Sequence, residues 1–389
     1  MHVRAQAPSR RPRERDRDWD APRPRATLRP PDTLLLGSVA FLVALGLVMV
    51  FSSSSAIAYS YSHDTAYYLK RQLVYLVVGL VLAYGAYRLD YRKLRALAPA
   101  LVVATFVLLV LTLIPHVGYA TGGARRWLGF SAVSFQPSEL GKLALVIFLA
   151  AKLSHLGENV RSLSKGVAPA LFITLLLAAP VFFEPDMGTA SLYIFTAFAV
   201  LFTAGARFEH LIMCMLVMLP AAAIAIGSSA YKRARIFAFL DPWKDAQNSG
   251  YHTVQSLLAL GSGGIVGLGL GASRQKYFYL PEAYTDYIFA VLGEELGLLG
   301  CIAVIALFVL FAIRAVSLAI KAPDRFGMLL AMGCMFMIVI QALINIGVVS
   351  SSWPVTGVPL PFISFGGTSM IVSLIAVALI ANVGRHRTA

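Results

Sequence analysis

The sequence predicts an all-α, polytopic membrane protein with about ten transmembrane helices and a large outer loop between spans seven and eight. Three observations carry this reading. The 389-residue chain is 58% apolar and only 13% charged, whereas soluble domains hold about a quarter charged residues. Apolar runs of bilayer-crossing length, about 20 residues, recur from end to end. The short connections between alternate runs concentrate Lys and Arg, the pattern that marks cytoplasmic loops. The mean hydropathy of +0.74 agrees, and no stretch reads as a separate soluble domain.

Residues 1–30 hold nine Arg against four acidic residues, hence +5 of the chain's +14 charge. With few apolar side chains this Arg- and Pro-rich tail cannot offset its ordering entropy, so disorder is expected. It lacks the apolar core and cleavage site of a signal peptide, and its arginines predict a cytoplasmic N-terminus. In a membrane protein such a basic excess reads as topology and lipid contact, not nucleic-acid binding. Cys214, Cys301 and Cys334 all fall in apolar runs, without metal-ligand or disulfide spacing, and read as small core residues.

Residues 31–389 form one membrane domain, with spans expected near 33–53, 72–89, 96–115, 137–153, 166–183, 187–204, 210–229, 287–313, 326–349 and 365–383. An even number places both termini in the cytoplasm. The cations of the short loops then share that side: Arg92, Lys93 and Arg95; Lys152, Arg161 and Lys165; Arg207; Arg314, Lys321 and Arg325; Arg385 and Arg387.

The outer loops depart from the charge rule. One carries Arg125 and Arg126. The long loop 230–286 carries Lys232, Arg233, Arg235, Lys244, Arg274 and Lys276. Long loops translocate despite charge, so a solvated loop is one reading. An outer-face anion site is the other, favoured because these cations are interleaved with Gly, Trp and Pro instead of with acids. Within this loop, 250–264 is apolar enough for a re-entrant or surface-lying helix. The glycines at 261, 263, 264, 267, 269 and 271 permit close backbone approach, but without a preceding strand they do not make a dinucleotide site. The last outer loop, 351–369, has three prolines and three glycines and is expected to form a rigid, non-helical cap, which is tolerated at membrane depth only when buried or lining a cavity.

Ionisable residues in or beside spans are costly and therefore functional candidates. Asp286 sits where the Gly-rich loop meets an apolar helix. There a carboxylate can stay partly dry and still meet a soluble head group, as a general base must. Glu294 and Glu295 follow two to three turns further in, one suited to pairing with a loop cation. Glu139 and Lys142, at i and i+3, share a helix face; they serve either as a structural ion pair or as the polar floor of an outer cavity. Glu184 and Asp186 flank Pro185 and read mainly as turn and cap residues. Gln341 and Asn345 suit interhelical hydrogen bonds.

Four stretches then resemble a known family: GARRWLGFSAVSFQPSELGKLAL (123–145), EPDMGTA (184–190), GYHTVQSLLALGSGGIVGLGLGASRQKYFYLPEAYTDYIFAVLGEELG (250–297) and PLPFISFGGTSM (359–370). In this order they resemble the SEDS family of bacterial shape, elongation, division and sporulation proteins. SRQKYFYLPEA resembles the cell-division branch, although the family commonly has His and Phe where this chain has Tyr284 and Tyr287. The resemblance implies a peptidoglycan glycosyltransferase that polymerises lipid II at the outer face of the inner membrane during division. It implies Asp286 as catalytic base and places Arg125, Arg126, Glu139 and Lys142 in the substrate cavity. Arg274 and Lys276 join them on position and charge alone. It further implies a class B penicillin-binding protein (the division transpeptidase) and other division proteins as partners, Mg²⁺ or Mn²⁺ as supporting cation, and no organic cofactor. The alternatives are a lipid II flippase, an elongation or sporulation paralogue, and a non-catalytic division scaffold. One-sided motifs and the lack of a visible inverted repeat weigh against alternating access.

Overall fold

The computed structural model describes residues 29–387, except 116, 122, 123, 131, 132, 185 and 228. All but the last two residues of the expected disordered tail lie outside the described residues. Helices α1 (Thr33–Ser62), α2 (Tyr67–Arg88) and α3 (Lys93–Leu113) open the bundle, followed by α4 (Pro137–Leu156), α5 (Ala168–Phe183), α6 (Met187–Thr203) and α7 (Phe208–Gly227). After the long loop come α10 (Ile288–Ile320), α11 (Arg325–Val349) and α12 (Gly367–Arg385). Among the described residues eight helices are long and apolar enough to cross a membrane, and α6 and α7 are shorter apolar helices. The protein is a multi-pass membrane protein.

The helices start where their caps require. Asp32 accepts from the Leu35 amide ahead of α1 at 2.9 Å, and Asp324 caps α11 through Gly327 at 2.7 Å. Pro137 opens α4, where its missing N–H costs nothing. The centre of the bundle is α11, which packs on α4, α6, α10 and α12. Most of α12 is enclosed by protein, whereas α2 and α3 turn much of their apolar surface outward.

Three features differ from the sequence expectation. A small antiparallel sheet, β1 (Tyr119–Thr121), β2 (Ala124–Phe130) and β3 (Val133–Phe135), fills the connection before α4. The large loop holds α9 (Tyr251–Ser262) where a helix was expected over 250–264, but adds α8 (Ala230–Leu240) and a 3-10 turn (Pro242–Asp245) that were not. The third is a break in α10, expected as a continuous helix ending near 313. At Gly297 the backbone leaves helical geometry (φ 67°, ψ −166°).

The loop repairs that break. Leu268 and Gly269 donate to the carbonyls of Glu294 and Glu295, both at 3.0 Å, while Leu298 and Leu299 donate to Gly264 and Ile265 at 2.9 and 3.1 Å. Backbone groups freed inside the bundle are thus satisfied by the Gly-rich segment, as burial demands. Contact this close needs glycine: a Cβ on Gly267 would lie 2.2 Å from the Glu295 carbonyl oxygen, and one on Gly297 2.3 Å from the Gly267 nitrogen.

The Pro- and Gly-rich segment 350–366 is non-helical, as expected, but enters the bundle instead of lying over it. Val358, Leu360, Phe362 and Ile363 are buried, and a Cβ on Gly46 of α1 would stand 2.3 Å from the Phe362 carbonyl oxygen.

Candidate active site

Asp286 precedes α10 on a backbone fixed from several sides. The Asn345 side-chain amide on α11 donates to the Asp286 carbonyl at 2.7 Å and to that of Val358 at 2.8 Å, binding the junction to the buried 350–366 segment. That segment returns the contact: Ser364 Oγ donates to the Thr285 carbonyl at 2.5 Å, and the Phe365 amide to the Tyr284 carbonyl at 2.9 Å. Tyr284 packs against Tyr68, ring centroids 4.5 Å apart, and Tyr287 stacks on His252 of α9 at 5.7 Å. Both departures from the family pattern are therefore packing residues beside the acid.

The Asp286 carboxylate meets a mixed set of charges. Gly357 (φ +71°) leaves room for it: a Cβ there would be 3.3 Å from Asp286 Oδ2 and 3.9 Å from Arg126 Nη1. Burial pushes the Asp286 carboxyl up to about 7. Glu282 and Asp186 push the same way, while Arg126 and Arg235 oppose them. Asp286 is only half-buried by surface, so a soluble group can reach it. Partial desolvation with accessible oxygen is what a base acting near neutral pH requires.

Arg126 is anchored by the turn between α5 and α6. Its Nε donates to the Glu184 carbonyl at 3.1 Å, and its Nη1 lies 3.9 Å from Asp186 Oδ2. Asp186 also caps α6 through the Thr189 amide and hydroxyl, both at 3.0 Å, the role its position beside Pro185 predicts. Glu184 accepts from Thr112 Oγ1. Burial pushes its carboxyl up to about 7; the Thr112 bond opposes this, Asp186 adds to it, and Arg126 opposes it.

The other sequence candidates divide. The Arg125 side chain lies outside the described residues; its backbone pairs with Ala120 on β1. Glu139 and Lys142 form a buried pair at 2.7 Å, and Lys142 also donates to Gln341 Oε1 at 2.5 Å. Gln341 in turn donates to the Pro359 carbonyl at 2.9 Å, so the pair joins α4, α11 and the buried segment just beneath the site. Lys276 is buried against Glu295 at 3.4 Å and donates to the Gly271 carbonyl at 2.5 Å. Arg274 has an exposed side chain, and its amide donates to Glu294 at 3.1 Å. The geometry therefore gives Lys276 the work of docking the Gly-rich loop on α10.

Sequence reasoning counted Arg235 among the cations of an outer-face anion site without linking it to Asp286, read Glu184 and Asp186 mainly as turn and cap residues, and left Glu282 out. EPDMGTA was the available signal for Glu184 and Asp186. Arg235 has none beyond its charge, because only folding of α8 brings it near Asp286.

Residues 32–389 match the model of the cell cycle protein family that groups FtsW, RodA and SpoVE. The chain belongs to this family. Stage V sporulation protein E of Bacillus subtilis is 42% identical over 356 residues, covering 92% of this chain and 97% of the relative. A probable peptidoglycan glycosyltransferase FtsW of Geobacter metallireducens is 42% identical over 352 residues, 90% of this chain and 94% of the relative. Among solved structures, a chain from a peptidoglycan synthase complex described as coordinating polymerization and crosslinking superposes with TM-score 0.76 at 30% identity, covering 91% and 98% of the two chains. Thermus thermophilus RodA follows at TM-score 0.68 and 31% identity, covering 92% and 98%. The SEDS resemblance and the polytopic helical fold expected from the sequence both hold.

The donor set of this family member also bears on a metal ion. Among the described residues no three His, Cys, Asp or Glu side chains gather so as to hold one. The described residues therefore form no resident protein cage for a metal ion.

Proposed function

We propose that the chain is a peptidoglycan glycosyltransferase of bacterial cell division that polymerises lipid II at the outer face of the inner membrane, with Asp286 as general base. The observation that carries this reading is a half-buried carboxyl, pushed up to about 7 mainly by burial, with the Arg126 guanidinium beside it at the mouth of a membrane bundle. The name borne by the Geobacter metallireducens relative, a probable peptidoglycan glycosyltransferase, supports the reaction class.

Glycosyl transfer from a diphosphate needs a proton acceptor and positive charge for the leaving group. Asp286 takes the proton from the acceptor sugar hydroxyl as that oxygen bonds to the anomeric carbon. The bond from that carbon to the diphosphate breaks, and the electron pair leaves with the phosphate. Arg126 and Arg235 stabilise the departing charge, with Arg125 as a further candidate on the same strand as Arg126. Direct displacement inverts the anomeric carbon and needs one base. Glu184 and Asp186 stand behind Arg126, occupied by Thr112 and the α6 cap, and so orient the arginine instead of acting as a second nucleophile. Glu139 and Lys142 support the floor, and Arg274 contacts substrate from the loop. Mg²⁺ or Mn²⁺ would arrive with the diphosphate, since such ions commonly bind through one or two carboxylates plus substrate phosphates.

A class B penicillin-binding protein and other division proteins complete the proposed assembly, at the septum, with both termini cytoplasmic. The test compares wild type with Asp286→Asn and Asp286→Ala, each with a cognate class B partner, on labelled lipid II with and without divalent cation. Glycan polymer from wild type and none from the folded variants is expected. Equal polymer from all would remove Asp286 from the chemistry. Lipid II crossing a vesicle bilayer with no polymer would favour the flippase.

A further inference from the structure

At the end of the bundle opposite Asp286, a cavity of about 810 Å³ opens between the connections α4–α5 and α6–α7. The 20 residues of α4 separate it from the site by roughly 30 Å at 1.5 Å per residue. It is lined by Arg161, Arg207, His210, Ser162 and Ser164, with Glu158 as the single acid. We infer that this cavity binds the phosphate of an anionic phospholipid headgroup.

Several observations converge. Neither Arg161 nor Arg207 makes an ion pair or side-chain hydrogen bond with another described residue. Two helical runs begin at the cavity. One starts at Leu163 as a π turn that continues into α5, the other is α7 at Phe208. Their first amides have no intrahelical acceptor and carry partial positive charge, which suits an anion. His210 is half-buried in the lining and adds an imidazole beside the two guanidinium groups. Glu158 in the lining and Glu209 in the first turn of α7 reduce the positive field, so the two guanidinium groups and the helical run that starts at Leu163 carry the attraction.

A phosphate could come from a lipid or from solution. The surroundings favour a lipid: Phe202 and Phe208, at the ends of α6 and α7 beside the cavity, are 62% and 65% exposed, presenting apolar surface to acyl chains next to a cationic pocket. Basic pockets between transmembrane helices recognise lipid head groups in this way.

Native mass spectrometry of the full chain, released from mixed micelles containing phosphatidylglycerol or phosphatidylcholine, tests the inference. Wild type is compared with Arg161→Gln/Arg207→Gln, with His210→Ala, and with Arg88→Gln/Lys93→Gln, which removes two cations at the same end away from the cavity. Wild type and the last variant retain phosphatidylglycerol in preference to phosphatidylcholine. The double arginine variant needs about tenfold more lipid or worse, from the contribution of each basic side chain near an anionic surface, and His210→Ala needs severalfold more. Thermal unfolding in zwitterionic detergent without added lipid checks that each variant is folded, and Arg207→Gln alone replaces the pair if it is not. Equal retention by wild type and the double variant overturns the inference. So does equal retention of the two lipids, or displacement of the lipid by inorganic phosphate alone, which would assign the cavity to a soluble phosphate.

Discussion

Gly267 and Gly271 offer a comparison that isolates the stitching of the loop into α10. Both have positive φ, +82° and +80°, so alanine at either meets the same left-handed penalty, about 1–2 kcal/mol. Their surroundings differ. At Gly271 a Cβ meets nothing within 4 Å, whereas at Gly267 it falls 2.2 Å from the Glu295 oxygen, 2.5 Å from the Glu295 carbonyl carbon and 2.7 Å from the Gly297 nitrogen. All three are backbone atoms of the α10 break, so no side-chain rotation relieves them. Overpacking of this kind costs about 1–3 kcal/mol. Moving the segment outward also weakens the amide bonds of Leu268 and Gly269 to Glu294 and Glu295, at about 0.5–1.5 kcal/mol each. Gly267→Ala should therefore lose roughly 3–8 kcal/mol and Gly271→Ala about 1–2. In detergent, thermal unfolding followed by tryptophan fluorescence should place Gly267→Ala at least about 5 °C below Gly271→Ala. Because the displaced segment precedes Asp286, polymerisation should fall further in the Gly267 variant. Equal losses of stability in the two variants would refute the reasoning, since the positive φ would then account for both and the close approach would count for nothing.

Three further outcomes are expected. A base with its carboxyl near 7 must lose its proton to act, so polymerisation should rise with pH through about 7; in pH–rate profiles Glu282→Gln should move that limb lower and Arg126→Gln higher, and unmoved limbs would break the assignment. Glu184 is raised from 4.5 to about 7, so the folded state holds a proton the unfolded state has lost, and stability should fall as pH climbs between those values. Glu184→Gln should flatten that slope in unfolding measurements made across the range. Lys142→Met should cost about 3–5 kcal/mol by leaving Glu139 buried without its cation, with Glu139→Gln/Lys142→Met recovering much of the lost thermal stability; a double variant no better than the single would show that the pair itself is not what matters.

What could be read from the sequence was what is decided locally. Apolar run length is a property of each segment, so the membrane fold and most span edges follow from composition. Asp286 was legible because its setting, a Gly-rich polar loop running into an apolar helix, is contiguous in the chain. Lys142 and Glu139 were legible as a pair because helix geometry fixes what i and i+3 can do. The break in α10 was not. Glycines and a pair of acids within an otherwise apolar run do not by themselves say that a helix breaks, and the groups that repair the break come from Gly264 to Gly269. The glycines announced close approach without naming what they approach. Arg235 shows the same limit: its influence on Asp286 depends on how α8 folds back, and Lys276, nearer in sequence and equally cationic, is instead buried against Glu295. Charge in the sequence thus identified a set of cations, and the backbone closures divided them. Lys276, bound to Glu295, fixes the loop; Arg126 and Arg235, bound near Glu184, Asp186 and Val355, act on the Asp286 carboxylate. The loop must be docked for Asp286 to be placed, so the structural cations and the charged site depend on one another although they touch different acids.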